Sequence, residues 1–170
     1  MASLIDALTD VMNKENEEYN RLLELAQKKT SAIVEGNVEV LQEILGKEQR
    51  VIDRINQLDE TRESNVKDIC NVLNLTYGQI KVDQIVQMLE RKPKEHDALQ
   101  EAHLGLKRTL DQMMRVNENN KMLLKESMDM IDFELNLAKS AVMAPQTTTY
   151  GKGAYEQTEA TGAGRFDAKQ

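Results

Sequence analysis

Apolar side chains recur along the start of the chain at alternating steps of about three and four residues, which is the spacing of one helix face. Ser3 can cap the first helix, and Gly36 and Asn37 can end it and begin the next one. The pattern therefore predicts an amphipathic helix over about residues 3–34. Its inward line consists of Leu4, Leu8, Val11, Glu15, Tyr19, Leu22, Ala26 and Ile33.

The same spacing continues over residues 38–73 and predicts a second amphipathic helix. Because only Gly36 and Asn37 separate the two segments, we expect the two helices to pack antiparallel. The inward line of the second helix consists of Leu41, Ile44, Glu48, Val51, Ile55, Leu58, Arg62, Val66, Ile69 and Leu73.

A turn-rich stretch follows, and then a short helix is predicted over about residues 82–89. Pro93 suits the first turn of a long helix over about residues 94–140. Residues 1–144 are thus expected to form one helical domain, an all-α, elongated antiparallel bundle built from coiled-coil hairpins. The line of the long helix is Leu99, Leu106, Leu110, Met113, Asn117, Asn120, Leu124, Ile131, Leu135 and Ala138.

The composition changes at Pro145, after which Thr, Gly, Ala and Gln dominate and no helical line continues. Such a segment cannot bury enough apolar surface to fold alone, so residues 145–170 are predicted to be a disordered, flexible tail. The tail contains Tyr150, Tyr155 and Phe166 in a chain with few aromatic residues. An aromatic side chain in such a tail is a common anchor for a partner.

Charge and hydropathy narrow the range of functions. The net charge is −7, which disfavours binding to nucleic-acid phosphates. No apolar run approaches the ~20 residues that membrane insertion needs. A single cysteine, Cys70, cannot form an intramolecular disulfide and fits a reducing compartment.

Catalytic or metal chemistry finds little support in the sequence. The two histidines, His96 and His103, do not lie three residues after a glutamate, as a di-iron bundle requires. A zinc site would need further ligands, and Cys70 lies on a different helix. We therefore expect no catalytic residues, no metal and no cofactor.

Several polar residues occupy positions where the helical lines call for apolar side chains. Glu15, Glu48, Arg62, Asn117 and Asn120 are the examples. A buried polar group is costly unless it is paired, and such groups often fix helix alignment. These residues therefore either align the helices or shape a partner site.

The long helix is rich in methionine and has apolar residues beside its main line, among them Met128, Phe133 and Leu137. Two interpretations stay open. These side chains either fill the core, or they form an apolar surface that extends beyond the area covered by the other helices of the bundle and that accepts an external helix. The methionines of this region are Met113, Met114, Met122, Met128 and Met130.

Three short motifs follow one another along the chain. The first helix carries Glu15, Tyr19, Leu22-Leu23 and Lys28, and the long helix carries Asn117-Glu-Asn-Asn120-Lys-Met-Leu123-Leu124. The tail carries Thr148-Thr149-Tyr150-Gly151. In this order the motifs resemble the FlgN family, in which the long helix has an Asn-x-x-Asn-x-x-Leu-Leu pattern and the tail has Thr-x-Tyr-Gly.

The resemblance implies a cytosolic chaperone of the flagellar type III export system. It implies that the clients are hook-associated junction proteins. The C-terminal helical segments of these clients would bind at about residues 106–140 of this chain. It also implies that Tyr150 and Gly151 dock at the cytosolic domain of the export gate. The client-binding residues expected on this basis are Met113, Asn117, Asn120, Leu123, Leu124, Met128, Phe133 and Leu137.

The helical lines also fit a structural coiled-coil adaptor that forms a homodimer, because an apolar line fits a second copy as well as a client helix. A chaperone should form a defined complex with an aggregation-prone export substrate, whereas a scaffold should not. A helical enzyme is the weakest of the three readings, and it would carry a metal or cofactor.

Overall fold

A computed structural model describes residues 2–78 and 80–143, and these residues form four helices. The helices are α1 (Ala2–Glu35), α2 (Val38–Leu73), α3 (Val82–Met88) and α4 (Pro93–Met143). The predicted all-α class is confirmed, and the helix ends differ from the sequence-based bounds by at most three residues. The tail predicted over residues 145–170 lies outside the described residues.

The connection between α1 and α2 is a two-residue turn. Gly36 has a φ of 65°, a left-handed conformation that glycine adopts without steric cost. Asn37 caps α2, because its side-chain Oδ1 accepts from the backbone N–H of Val40 over 3.1 Å. This turn reverses the chain, so that α2 runs back along α1.

Helix α1 is the central element, with α2 on one side and α4 on the other. Lys29 of α1 bonds Glu48 of α2, and Glu15 of α1 bonds Arg62, which shows that α2 is antiparallel to α1. Asn16 bonds Thr109, and Thr30 bonds Asn120, so α4 runs parallel to α1. Between α2 and α4, no pair of Cα atoms comes within 8 Å.

The core has two parts along the length of α1. The larger part lies where α3 closes one end, and it is centred on Leu8, Ile69, Ile85 and Leu99, each at most 2% exposed. Full burial of an aliphatic side chain contributes about 1.5–3 kcal/mol, so this end anchors the bundle. The smaller part consists of Leu22, Leu23, Ala26, Val51, Ile55 and Met113.

Helix α4 is longer than the hairpin that it packs against. It has 51 residues, whereas α1 has 34. Every residue of 128–143 is exposed, and we call this segment the overhang. At a rise of ~1.5 Å per residue the overhang is ~24 Å long.

The overhang corrects one sequence-based expectation. Leu124, Ile131, Leu135 and Ala138 were placed on the bundle line of the long helix, but all four are exposed. Leu124 is 38% exposed, Ile131 55% and Leu135 52%. The helical spacing is correct, but Leu124 stands beside the half-buried Leu123, and α1 ends at Glu35, so that no described helix covers Ile131, Leu135 and Ala138.

Candidate functional site

An apolar line runs the whole length of the overhang. Its residues are spaced at steps of four and three, which keeps them on one face of the helix. The face of α4 that packs on α1 carries Leu106, Met113 and Asn120, which are buried, and Leu123 and Ser127, which are half-buried. The first line lies beside the continuation of that face, and it consists of Leu124, Met128, Ile131, Leu135, Ala138 and Val142.

A second apolar line lies on nearly the opposite face of the overhang. It consists of Met130, Phe133 and Leu137, which are 64%, 67% and 60% exposed. At 3.6 residues per turn this line is turned by roughly 150° from the first line. The overhang thus presents apolar side chains on two sides.

Polar residues separate the two lines. Asp129, Asp132 and Asn136 lie along one side, and Glu134 lies on the other. These side chains keep the segment hydrated, but they do not cover the apolar lines. A contiguous exposed apolar surface is typical of sites that bind another protein, a membrane or a ligand.

Two residues expected to bind a client are instead part of the bundle. Met113 is 7% exposed and belongs to the smaller part of the core, and Asn120 is 2% exposed. Neither side chain is available to a partner in this structure. The other six expected residues lie at the surface or are half-buried: Asn117, Leu123, Leu124, Met128, Phe133 and Leu137.

Asn120 fastens α4 to α1. Its Nδ2 donates to the carbonyl oxygen of Ala26 over 2.8 Å, and its Oδ1 accepts from the hydroxyl of Thr30 over 2.5 Å. These bonds satisfy a buried amide and fix the axial position of α4. Asn117, expected on the same inward line, is exposed instead, and its neighbour Val116 is half-buried.

A second polar bond between these helices was not anticipated. The hydroxyl of Thr109 donates to Oδ1 of Asn16 over 2.6 Å, and Thr109 is buried. Thr109 stands three residues after Leu106, which is the spacing of the inward line, so the sequence contained a signal for it.

Glu15 and Arg62 form an ion pair between α1 and α2. Arg62 Nε donates to Glu15 Oε1 over 3.0 Å, and the same guanidinium bonds Asp59. Glu15 is 2% exposed. Burial raises the pKa of the Glu15 carboxyl above its ordinary value, although the positive charge of Arg62 opposes that rise.

Two further acids are paired along the same α1–α2 interface. Lys29 Nζ donates to both carboxylate oxygens of Glu48, over 2.7 and 2.8 Å. Glu18, which is 8% exposed, accepts from Arg54 over 2.9 Å and from Arg21 over 2.5 Å. The apolar lines indicated Glu48, but they gave no signal for Lys29 or Glu18, because these stand beside the lines.

The histidines have structural partners. His103 Nε2 lies 2.7 Å from Asp83 Oδ1 and joins α4 to α3, and His96 lies 2.9 Å from Asp97. Cys70 is buried in the larger core. Within residues 2–78 and 80–143, no group of three or more His, Cys, Asp or Glu side chains is arranged to hold a metal ion. None of the described helices combines the length and the hydropathy that crossing a membrane requires.

The fold and the overhang define a class of protein: an elongated helical bundle that offers an uncovered helix end for protein binding. Comparison with known families makes this specific, because the family model described as FlgN protein matches residues 1–158. The chain belongs to the FlgN family, and its general role is that of a flagellar export chaperone. No curated protein and no solved structure matches the chain.

Proposed function

We propose that this chaperone acts in the cytosol and uses the overhang to hold hook-associated junction proteins before their export. The observation that carries the proposal is the pair of apolar lines on residues 128–143, which nothing in the described bundle covers. An amphipathic helix from a client can lie on such a surface through anchors spaced at three and four residues. Binding would shield apolar residues of the client that otherwise drive self-association.

The client should contact the overhang from two sides. A single helix packs against one face of its neighbour, but Ile131 and Phe133 point in nearly opposite directions. We therefore propose that the client supplies two segments, or one segment that wraps around the overhang. Asn117, Leu123 and Leu124 would extend this surface towards the bundle.

Delivery is a separate proposal, because Tyr150 and Gly151 lie outside the described residues. It is supported by the resemblance of Thr148-Thr149-Tyr150-Gly151 to the family's tail motif. We propose that Tyr150 contacts the cytosolic domain of the export gate. The proposed client surface and Tyr150 do not overlap in sequence. The chaperone could therefore contact the export gate while it still holds its client.

A double variant, Met128→Glu with Phe133→Glu, tests the client surface on both lines. Each substitution would place a charge in a desolvated contact, at a cost of order 2 kcal/mol or more. We expect loss of client affinity in calorimetric titration with a hook-associated protein, and unchanged helicity by circular dichroism.

Met114→Glu provides the matched control, since Met114 is 67% exposed on α4 but lies outside the overhang. The control should bind the client normally. Unchanged affinity in the folded double variant would place the client site elsewhere. Sedimentation in parallel examines the scaffold alternative, in which the overhang pairs with a second copy and the double variant dissociates a dimer.

A further inference from the structure

A groove on the seam between α1 and α2 is lined mainly by basic side chains. It has a volume of about 320 Å³, and four of its seven lining residues are arginine or lysine. All seven lining residues belong to α1 and α2, so the groove is separate from the overhang of α4. We call it the basic groove, after Arg21, Lys47, Arg50 and Arg54.

This concentration of positive charge contrasts with the rest of the protein. The chain as a whole has a net charge of −7. The neighbouring groove between the same two helices shares Arg54 but has as many acids as bases, because Lys14 and Arg54 stand there beside Glu17 and Glu18. The positive charge of this seam is therefore concentrated in the basic groove.

Two of the four cations have a role in the fold. Arg21 and Arg54 both bond the buried Glu18, over 2.5 and 2.9 Å. One carboxylate thus stands between two guanidinium groups, and one positive charge of the three groups is left over. Both arginines are about half exposed, so their remaining N–H groups face solvent.

The other two cations are available to a partner. Lys47 lies 3.9 Å from Glu43, which is longer than a good hydrogen bond, and both side chains are well exposed. Arg50 is exposed and forms no ion pair among the residues that the structure describes. Lys47, Arg50 and Arg54 are spaced at three and four residues, so they lie along one side of α2.

The floor of the basic groove is apolar. Val51 is 5% exposed and Leu25 is half-buried, so the floor offers contact for one aliphatic side chain of a partner. Gly46 stands one turn before Arg50, and a Cβ added there would meet no atom within 4 Å. A partner backbone can therefore approach α2 closely beside Arg50.

We propose that the basic groove binds an acidic segment of a second protein partner, in which carboxylates flank one aliphatic side chain. The carboxylates pair with Lys47 and Arg50, and the aliphatic side chain covers Leu25. Exposed charge pairs of this kind raise the association rate and the specificity more than the affinity, and salt screens them. The inference does not depend on the proposed client surface, because the two sites are on different helices.

A carboxylate partner suits the basic groove better than a phosphate polymer. Glu24 lines the groove, and Glu18 lies beside its two paired arginines. A polyanion with a charge at every repeat would bring phosphates against these acids, whereas a peptide can place carboxylates only where the cations stand. The exposed part of Leu25 also favours a partner with an apolar side chain.

The test compares two double charge reversals in the full chain. Lys47→Glu with Arg50→Glu alters the basic groove, and Lys107→Glu with Arg115→Glu is the control on α4. All four side chains are exposed, and both double variants change the net charge equally. The probe is a fluorescein-labelled synthetic peptide in which one leucine is flanked by glutamates. Its affinity is measured by fluorescence anisotropy at low and at physiological salt, and circular dichroism checks that each variant is folded.

We expect the groove variant to bind the peptide ~10-fold or more weakly than wild type, and the control to bind it within ~2-fold of wild type. The affinity of wild type should fall as salt rises. The overhang variant, Met128→Glu with Phe133→Glu, should bind the peptide as wild type does, which separates this inference from the client proposal.

Several results would overturn the inference. One is that wild type does not bind the peptide even at low salt. Another is that both double variants lose affinity equally, since net charge rather than the basic groove would then be responsible. A third is that a version of the peptide with glutamines binds as tightly. Tighter binding of a single-stranded oligonucleotide or of phosphatidylglycerol vesicles, lost in the groove variant, would also overturn it, because phosphate would then be the preferred ligand.

Discussion

Arg62 on α2 reaches across to α1 and donates from Nε to the almost fully buried Glu15 over 3.0 Å. The guanidinium is 30% exposed, whereas the Glu15 side chain is 3% exposed. The arginine therefore compensates a carboxylate that water cannot reach. Such a pair aligns two helices, because shifting either one leaves a buried charge without a partner.

Replacing Arg62 with Met should destabilise the bundle. Met keeps an apolar stem of similar length but removes the charge, and Glu15 is then left buried without a cationic partner. Breaking a fully buried pair costs about 3–5 kcal/mol, and the partial exposure of Arg62 reduces our expectation to about 2 kcal/mol. Urea unfolding followed by circular dichroism measures the loss.

Arg54→Met is the control for this prediction. Arg54 is also on α2 and bonds Glu18, but it is 47% exposed, and Glu18 keeps Arg21 as a second partner. We expect a loss below about 1 kcal/mol. Equal losses of stability in both variants would mean that the deeper burial of Glu15, compared with Glu18, does not determine how much stability is lost.

The buried Glu15 should make stability depend on pH. Burial raises the pKa of its carboxyl in the folded state, so the folded protein binds this proton more tightly than the unfolded chain does. Its contribution to stability is therefore fully present below the unfolded pKa and is lost as pH rises through the folded pKa. Glu15→Gln mimics the neutral form and cannot titrate.

We accordingly expect the free energy of unfolding of wild type minus that of Glu15→Gln to fall as pH rises from acid towards neutral. The slope should not exceed ~1.4 kcal/mol per pH unit, the limit for one proton. In the Arg62→Met background the fall should extend to higher pH, because the charge that opposes the rise in the folded-state pKa of Glu15 is gone. A difference that increases with pH would contradict this account.

Local features allowed the helices to be predicted from sequence. The apolar spacing defines the faces of α1, α2 and α4, and Gly36 with Asn37 defines the first turn through backbone conformation and capping. Polar residues inside the lines also carried information. Glu15, Glu48 and Asn120 are all buried and bonded, as the cost of burying an unpaired polar group requires.

The overhang could not be predicted in the same way. Its spacing is that of a buried line, and the sequence of α4 does not state where α1 stops covering it. That point depends on the axial position of α4, which is fixed by contacts between residues 90 or more apart in sequence, such as Asn120 Nδ2 to the Ala26 carbonyl. Thr30 and Thr109 complete these contacts; the spacing of the inward line gave a signal for Thr109 but none for Thr30.

The final prediction concerns Tyr150, which lies outside the described residues. The client surface proposed above ends at Met143, and Tyr150 follows it in a motif shared with the family's tail. A tyrosine ring offers apolar contact area and a hydroxyl at low entropic cost, which suits an anchor for a transient contact. Tyr150→Ala should therefore weaken association with the cytosolic domain of the export gate and leave folding and client affinity unchanged.

Tyr155→Ala is the matched control, because it removes the other tail tyrosine without touching the Thr148–Gly151 motif. Client affinity and gate affinity should be measured on the same preparation of each variant. Because the composition after Pro145 predicts a flexible tail, docking would cost entropy, so the wild-type gate contact should itself be weak and should release readily. If Tyr150→Ala and Tyr155→Ala reduce gate binding equally, aromatic content rather than the motif is responsible. If Tyr150→Ala also reduces client affinity, the residues beyond Met143 contribute to holding the client, and the separation of client binding from gate docking is wrong.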